Sequence, residues 1–145
     1  MGRIIYMAYG SNINLKQMAQ RCPTASVLGG TILNGYQLLF KGSKGSAVAT
    51  IEKQYNGKVP VLLWDLKAKD EASLDRYEGY PRTYGKQYFA VTLNGKSLKA
   101  MAYIMNGRLP LGTPSRRYYD TIKAGYQTAG FNTGILDQAV RASSS

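Results

Sequence analysis

The sequence predicts an α+β fold: a mostly antiparallel sheet, closed or strongly curled, with short helices inserted between its strands. Three observations lead there. Several segments alternate apolar and polar residues with period two, as half-buried strands do. Two Asn-Gly pairs, Asn56-Gly57 and Asn94-Gly95, stand between such segments as hairpin turns. No βαβ repeat and no internal repeat runs along the chain, so a doubly wound parallel sheet is excluded. The length of 145 residues fits one domain, placed at 1–142, with Ser143-Ser144-Ser145 as a disordered tail.

Arg3 to Tyr9 reads as the first strand, rich in Ile and Tyr, broken by Gly10-Ser11-Asn12. A helix follows directly, capped by Asn14, with Leu15, Met18, Ala19 and Cys22 on one face and Pro23 as its stop. Gly29-Gly30 opens a strand from Thr31 to Phe40, bent at Asn34-Gly35. Ala47 to Lys53 and Val59 to Leu66 read as two strands turning back on each other at Asn56-Gly57. Asp70 caps a short helix to Glu78, with Leu74 and Tyr77 as its apolar contacts, and Gly79 and Pro81 end it. Gln87 to Leu93 and Ser97 to Met105 form the clearest hairpin, with Phe89, Val91 and Leu93 on one face and Tyr88, Ala90 and Thr92 on the other. Pro114-Ser115 starts a helix to about Gln127. Thr133 caps the last, whose face is Ile135, Leu136, Ala139 and Val140.

Composition narrows the chemistry. The chain has no histidine, which excludes a Ser-His-Asp triad, a Cys-His dyad and a His-ligated metal. Cys22 is the only cysteine, so neither a disulfide framework nor a Cys-rich zinc site can form. Eight carboxylates are the short list from which a base near neutral pH would come, with a depressed Lys, Cys22 or a Tyr as the other candidates. The net charge of +11 favours anionic partners, but the basic residues are scattered rather than run together. No apolar run approaches the ~20 residues of a membrane helix, and the N-terminus lacks the apolar stretch and cleavage site of a signal peptide. Met1-Gly2 would suit N-myristoylation, whose motif asks for Ser or Thr where Tyr6 stands. The expectation is a cytoplasmic protein, monomeric or homodimeric, that binds no membrane.

Two features could carry chemistry. At Tyr9-Gly10-Ser11-Asn12 a strand hands over to a helix, where unpaired backbone N–H groups and the helix dipole favour an anion such as a carboxylate. An ordinary polar turn fits those residues equally well. Glu78 ends a helix, at the end of the dipole that disfavours its charge, so its pKa would drift upward as a base requires. On local chemistry alone a solvated surface glutamate fits better.

Together these segments resemble the γ-glutamylcyclotransferases of the compact bacterial, AIG2-like type. Tyr9-Gly10-Ser11-Asn12 is similar to that family's signature loop. Leu74-Asp75-Arg76-Tyr77-Glu78-Gly79 resembles its L-D-x-x-E-G segment, whose glutamate is catalytic, and Tyr80-Pro81-x-x-Tyr84 continues the likeness. Ala102-Tyr103-Ile104-Met105 resembles its late tyrosine-bearing strand, and Pro114-Ser115 with Tyr118 its P-S-x-x-Y segment. The motifs occur in family order and span most of the chain.

The resemblance implies a small mixed β-barrel with peripheral helices and a polar cavity at one end. It implies an enzyme without cofactor or metal. The α-amine of a γ-glutamyl compound attacks its own γ-carbonyl and expels an amine, leaving 5-oxoproline. Glu78 would be the general acid/base. Tyr9, Gly10, Ser11, Asn12, Tyr103 and Tyr118 would bind the substrate, the two late tyrosines as hydroxyl donors. The high positive charge makes an anionic leaving group the better fit. The reading from a different class is a non-catalytic module binding a small ligand or nucleic acid, with Arg116-Arg117-Tyr118-Tyr119 as a base-stacking surface. The scattered charge and the retained glutamate make nucleic acid the weaker partner.

Overall fold

Each Asn-Gly pair meets a different fate in the fold. A computed structural model of the chain describes residues 3–144. Met1 and Gly2, weighed above as an acylation start, and Ser145 of the expected tail lie outside the described residues. Asn94-Gly95 turns back β4 (Tyr84–Leu93) onto β5 (Lys96–Met105), with φ of 52° and 80° at the two residues. This is the left-handed pair that a tight hairpin turn needs. Asn56-Gly57 does not turn the chain. It lies within one long strand, β3 (Val48–Leu66), which pairs antiparallel with β2 (Ser26–Lys41) along most of its length. Tyr36 pairs with Lys53 and Asn34 with Lys58, so Gln54 to Gly57 bulge out opposite Gly35 alone. The expected hairpin is thus a bulge. The tight hairpin turn needs φ > 0 and a bulge accommodates it; Asn56 adopts φ 60°, and a shared neighbour strand decides between the two. The bend expected at Asn34-Gly35 is the β2 side of that bulge. The true β2–β3 hairpin closes through Gly42 to Ala47.

The described sheet runs β2-β3-β1-β5-β4, with β1 (Ile4–Ala8) at its centre, antiparallel to β3 and parallel to β5. It is strongly curled but not closed, so "barrel" is loose. No backbone ladder joins the two edges among the described residues. They meet through side chains: Thr31 Oγ1 donates to the Thr92 carbonyl at 2.5 Å, and the rings of Tyr36 and Phe89 stand edge to face at 5.3 Å. Inside the curl lie Met7, Val59, Val61, Leu63, Phe89 and Ala100, all buried. Alternation in β4 is as expected, with Phe89 and Val91 buried and Tyr88, Ala90 and Thr92 exposed.

Four α-helices surround the sheet, none long and apolar enough to cross a membrane. Helix α1 (Leu15–Arg21) is capped by Asn14 Oδ1, which accepts from Gln17 N at 3.0 Å. Its buried face is Met18 with Cys22 beyond the end; Leu15 and Ala19, expected on that face, are exposed. The helix is too short for a second buried row. Helix α2 (Ala68–Glu78) starts one turn earlier than expected. Asp70 is not its N-cap but sits in the first turn, fully buried. Its carboxylate accepts from Lys67 N at 2.9 Å and from Thr24 Oγ1 at 2.7 Å, satisfying an orphan donor of the helix start from inside. Gly79 ends α2 with φ 68°. Tyr77, expected as an apolar contact, is 52% exposed.

Ser115 Oγ caps α3 (Arg116–Ala129) by accepting from Tyr118 N, and Asn132, not Thr133, caps α4 (Thr133–Ala142). Gly125 lets α3 press on the loop after β1, since a Cβ there would lie 2.8 Å from Asn14 N. The described part of the expected tail is ordered by its hydrogen bonds. Ser143 is 1% exposed, and its hydroxyl accepts from Phe40 N at 2.9 Å and donates to the Ala139 carbonyl at 2.8 Å. Serine's preference for turns and tails gives no hint of that partner.

Candidate active site

The loop that leaves β1 is held rigid by its own asparagines. Asn12 is 3% exposed; its Nδ2 donates to Tyr6 Oη at 2.9 Å, and its Oδ1 accepts from Arg21 Nη1. Its carbonyl accepts from Trp64 Nε1 at 3.1 Å. Asn14 Nδ2 donates to the Thr121 carbonyl of α3 at 3.0 Å. The backbone N–H groups of Gly10, Ser11 and Asn12 find no protein acceptor among the described residues. The sequence reading put this loop directly on a helix start. Instead a 3-10 turn, Ser11–Ile13, intervenes before α1, so free N–H groups rather than a helix dipole are what the loop offers.

Glu78, the last residue of α2, lines the same pocket as this loop. Tyr6, Tyr9, Gly10, Ser11, Tyr84, Tyr103 and Tyr118 share the lining, around a small cavity of about 80 Å³. The Glu78 carboxylate makes no hydrogen bond or ion pair among the described residues. Burial pushes it from 4.5 up to about 7, while Arg21 pulls it down. The direction matches the sequence expectation, but the cause is desolvation rather than the helix dipole. Burial also raises the hydroxyls of Tyr6, Tyr9, Tyr84 and Tyr118, and an ionised Glu78 raises them further. These tyrosines stay protonated near neutral pH, as neutral hydroxyls around one carboxylate.

The tyrosines named from sequence all reach the pocket, with different commitments. Tyr118 Oη accepts from Ala49 N at 3.0 Å, so its own proton is free to donate. It lies close over Gly10, where a Cβ would sit 3.4 Å from Tyr118 Oη and 3.2 Å from Ala49 Cβ. Tyr103 Oη instead donates to Asp75 Oδ1 at 2.6 Å. That carboxylate also takes Lys86 Nζ at 3.0 Å, which bridges to Glu71 Oε2 at 2.7 Å. Tyr103's proton is therefore turned away from a ligand, and only its lone pairs remain. Tyr9 Oη donates to the Tyr103 carbonyl at 2.7 Å, tying the end of β1 to β5.

Tyr6, Tyr84 and Arg21 went unassigned in the sequence. Tyr84 stands in the segment after Glu78, and Tyr6 sits on the same strand as Tyr9; a polar hydroxyl on a central strand was the available signal. Arg21 had none, because its position follows from how α1 lies beside α2. Its guanidinium stacks on the Tyr77 ring at 3.4 Å from the centroid. In the Arg116-to-Tyr119 run, Tyr118 faces the pocket, Arg116 Nε pairs with Asp120 at 3.1 Å, and Tyr119 Oη donates to Asp137. No cluster of three His, Cys, Asp or Glu side chains suited to a metal occurs among the described residues.

Residues 6–125 match the family described as gamma-glutamyl cyclotransferase, AIG2-like. A solved structure described as a gamma-glutamyl cyclotransferase superposes with a TM-score of 0.81 at 24% identity, over 95% of this chain and 86% of that one. The uncharacterized human protein loc79017 gives 0.82 at 24% identity, over 96% and 87%. A yeast gamma-glutamyl cyclotransferase specific to glutathione gives 0.62 at 12% identity, over 98% and 100%. At these identities the likeness is one of fold. No curated protein matches the chain.

Proposed function

This chain belongs to the gamma-glutamyl cyclotransferase, AIG2-like family, and on that premise we propose that it releases 5-oxoproline and a free amine from a small γ-glutamyl compound. The observation that carries the reading is Glu78: a half-buried carboxylate, raised to about 7 and without a hydrogen-bonding partner among the described residues, lining one pocket with a loop of free N–H groups.

The proposed reaction asks no nucleophile of the pocket, because the substrate supplies its own. Ionised Glu78 takes a proton from the substrate's α-ammonium group. The freed amine attacks the γ-carbonyl carbon and closes a five-membered ring; the ring nitrogen sheds its second proton, which ends on the departing amine so that it leaves as an ammonium ion, and the ring is a neutral lactam. The N–H groups of Gly10 to Asn12 and the Tyr118 hydroxyl are the donors available for the α-carboxylate and the developing oxyanion. Protonated Glu78 then gives its proton to the leaving nitrogen as the old C–N bond breaks. A base that must also act as acid works best with a pKa near the working pH. Because the attack is intramolecular, holding the substrate folded supplies much of the acceleration.

The test is a panel of γ-glutamyl compounds incubated with the protein, with 5-oxoproline as the measured product. A parallel set carries an acetylated α-amine, which cannot cyclise. Release of 5-oxoproline from the free amines and none from the acetylated set supports the reading. Release of glutamate instead would mark a hydrolase.

A further inference from the structure

We propose that Asp75 is a positioning residue: it holds the proton of the Tyr103 hydroxyl, so that Tyr103 accepts an N–H of the substrate's α-amino group and cannot donate to the nitrogen lone pair that attacks. This rests on the function proposed above and deepens it. Asp75 stands behind the pocket wall and acts through Tyr103, which lines it.

Three segments build the arrangement. Asp75 and Glu78 lie three residues apart on α2, so their side chains share a face one turn apart. Tyr103 Oη, 2.6 Å from Asp75 Oδ1, therefore stands beside the turn that carries the base. Lys86 is the partner of Tyr103 across β4 and β5, which brings its Nζ to the same carboxylate, 3.0 Å from Oδ1, and on to Glu71 Oε2 at 2.7 Å. An ionised carboxylate only accepts hydrogen bonds, so in the short contact with Asp75 the hydroxyl is the donor.

The pocket thus has two chemical sides. Donors lie at the loop: the N–H groups of Gly10 to Asn12, and the Tyr118 hydroxyl close over Gly10. Beside α2 lie two acceptors, the Glu78 carboxylate and the lone pairs of Tyr103. A substrate ammonium group has three N–H donors. One points at Glu78 and is lost as the proton. A second rests on Tyr103 before and after that loss. The lone pair then uncovered must reach the γ-carbonyl carbon. A hydroxyl free to turn would donate to that lone pair and oppose the attack, and Asp75 removes this option.

A double-mutant cycle tests this, read as 5-oxoproline release from γ-glutamyl-alanine by the native chain, Asp75→Ala, Tyr103→Phe and the doubly substituted chain. Each single substitution should lower kcat/KM about tenfold, the lower range for losing a hydrogen bond to a charged group. Added to Tyr103→Phe, Asp75→Ala should change the rate by less than about twofold. An Asp75 that only braced α2, or acted on the ammonium group by charge alone, would cost as much there as in the native chain, and that result overturns the proposal. So does an Asp75→Ala chain within about twofold of native. Asp75→Asn, whose one oxygen goes to Lys86 and whose amide N–H faces Tyr103, should reproduce the loss, and it takes the place of Asp75→Ala in the cycle if the alanine chain does not fold. Glutaryl-alanine, the same compound without the α-amine, reads the amine contact by its absence. Its inhibition constant should stay within about twofold of native in Asp75→Ala; a rise as large as the fall in kcat/KM marks a disordered pocket and overturns the proposal. If the native chain releases no 5-oxoproline, the proposed function fails, and calorimetric binding of the two compounds decides the role of Asp75 separately. Tighter binding of the amine that is lost in both Asp75→Ala and Tyr103→Phe supports it, and equal affinity or no binding overturns it.

Discussion

Replacing Glu78 by Gln should stabilise the folded chain above neutral pH while leaving it unchanged in acid. Burial lifts the carboxyl from 4.5 to about 7. At about 1.4 kcal/mol per pH unit, the difference between those values is a cost of about 3.5 kcal/mol for holding the ionised form in the pocket. Between pH 4.5 and 7 the folded chain binds this proton more tightly than the unfolded chain does. Stability from this group is therefore highest below 4.5, falls as pH rises through that window, and is lost in full above about 7. Glutamine keeps the size and does not titrate. Urea unfolding of both chains at pH 4.5 and pH 8 yields the difference between them, in which the other titrating groups cancel. That difference should grow in favour of Glu78→Gln by about 3 kcal/mol between the two pH values. A difference that stays flat, or moves the other way, refutes the claim that Glu78 is desolvated.

Other substitutions test how the pocket and fold are held. Tyr118→Phe leaves Ala49 N without its hydroxyl partner and should cost about 1–3 kcal/mol in denaturant unfolding, with lower kcat/KM from the lost donor. Ser143→Ala strands the buried Phe40 N and should lower stability by a similar amount, about 1–3 kcal/mol, where a disordered tail would show no change. Gly57→Ala puts a Cβ into the Tyr36 carbonyl and should lower the Tm markedly; Gly95→Ala, with open space around it but φ of 80°, should cost only its backbone strain, about 1–2 kcal/mol.

Local signals were legible where the physics is local. Asn94-Gly95, Gly79, the Asn14 cap, the helix start at Pro114-Ser115 and the alternation of Phe89 and Val91 all depend on neighbours in sequence. What failed depends on a distant partner. Asn56-Gly57 became a bulge because β2 pairs with the chain on both sides of it. Asp70 became a buried first-turn acid because Thr24 lies across from it. In the pocket, the loop and Glu78 were found through the ordered family motifs, not through their own chemistry. Arg21 and the Asp75–Tyr103–Lys86 network were not, since each joins segments far apart in sequence. Tyr103 illustrates the difference. Its place at the pocket could be read, but the direction of its proton needed Asp75 at 2.6 Å.

The most direct measurement of the central claim is kcat/KM for 5-oxoproline release from a γ-glutamyl amino acid by the native chain and by Glu78→Gln. If Glu78 moves the proton both ways, the substitution should reduce the rate by at least about a hundredfold, the lower range for losing a general acid–base group. Turnover that survives within about tenfold, or about 1.4 kcal/mol of barrier, contradicts it.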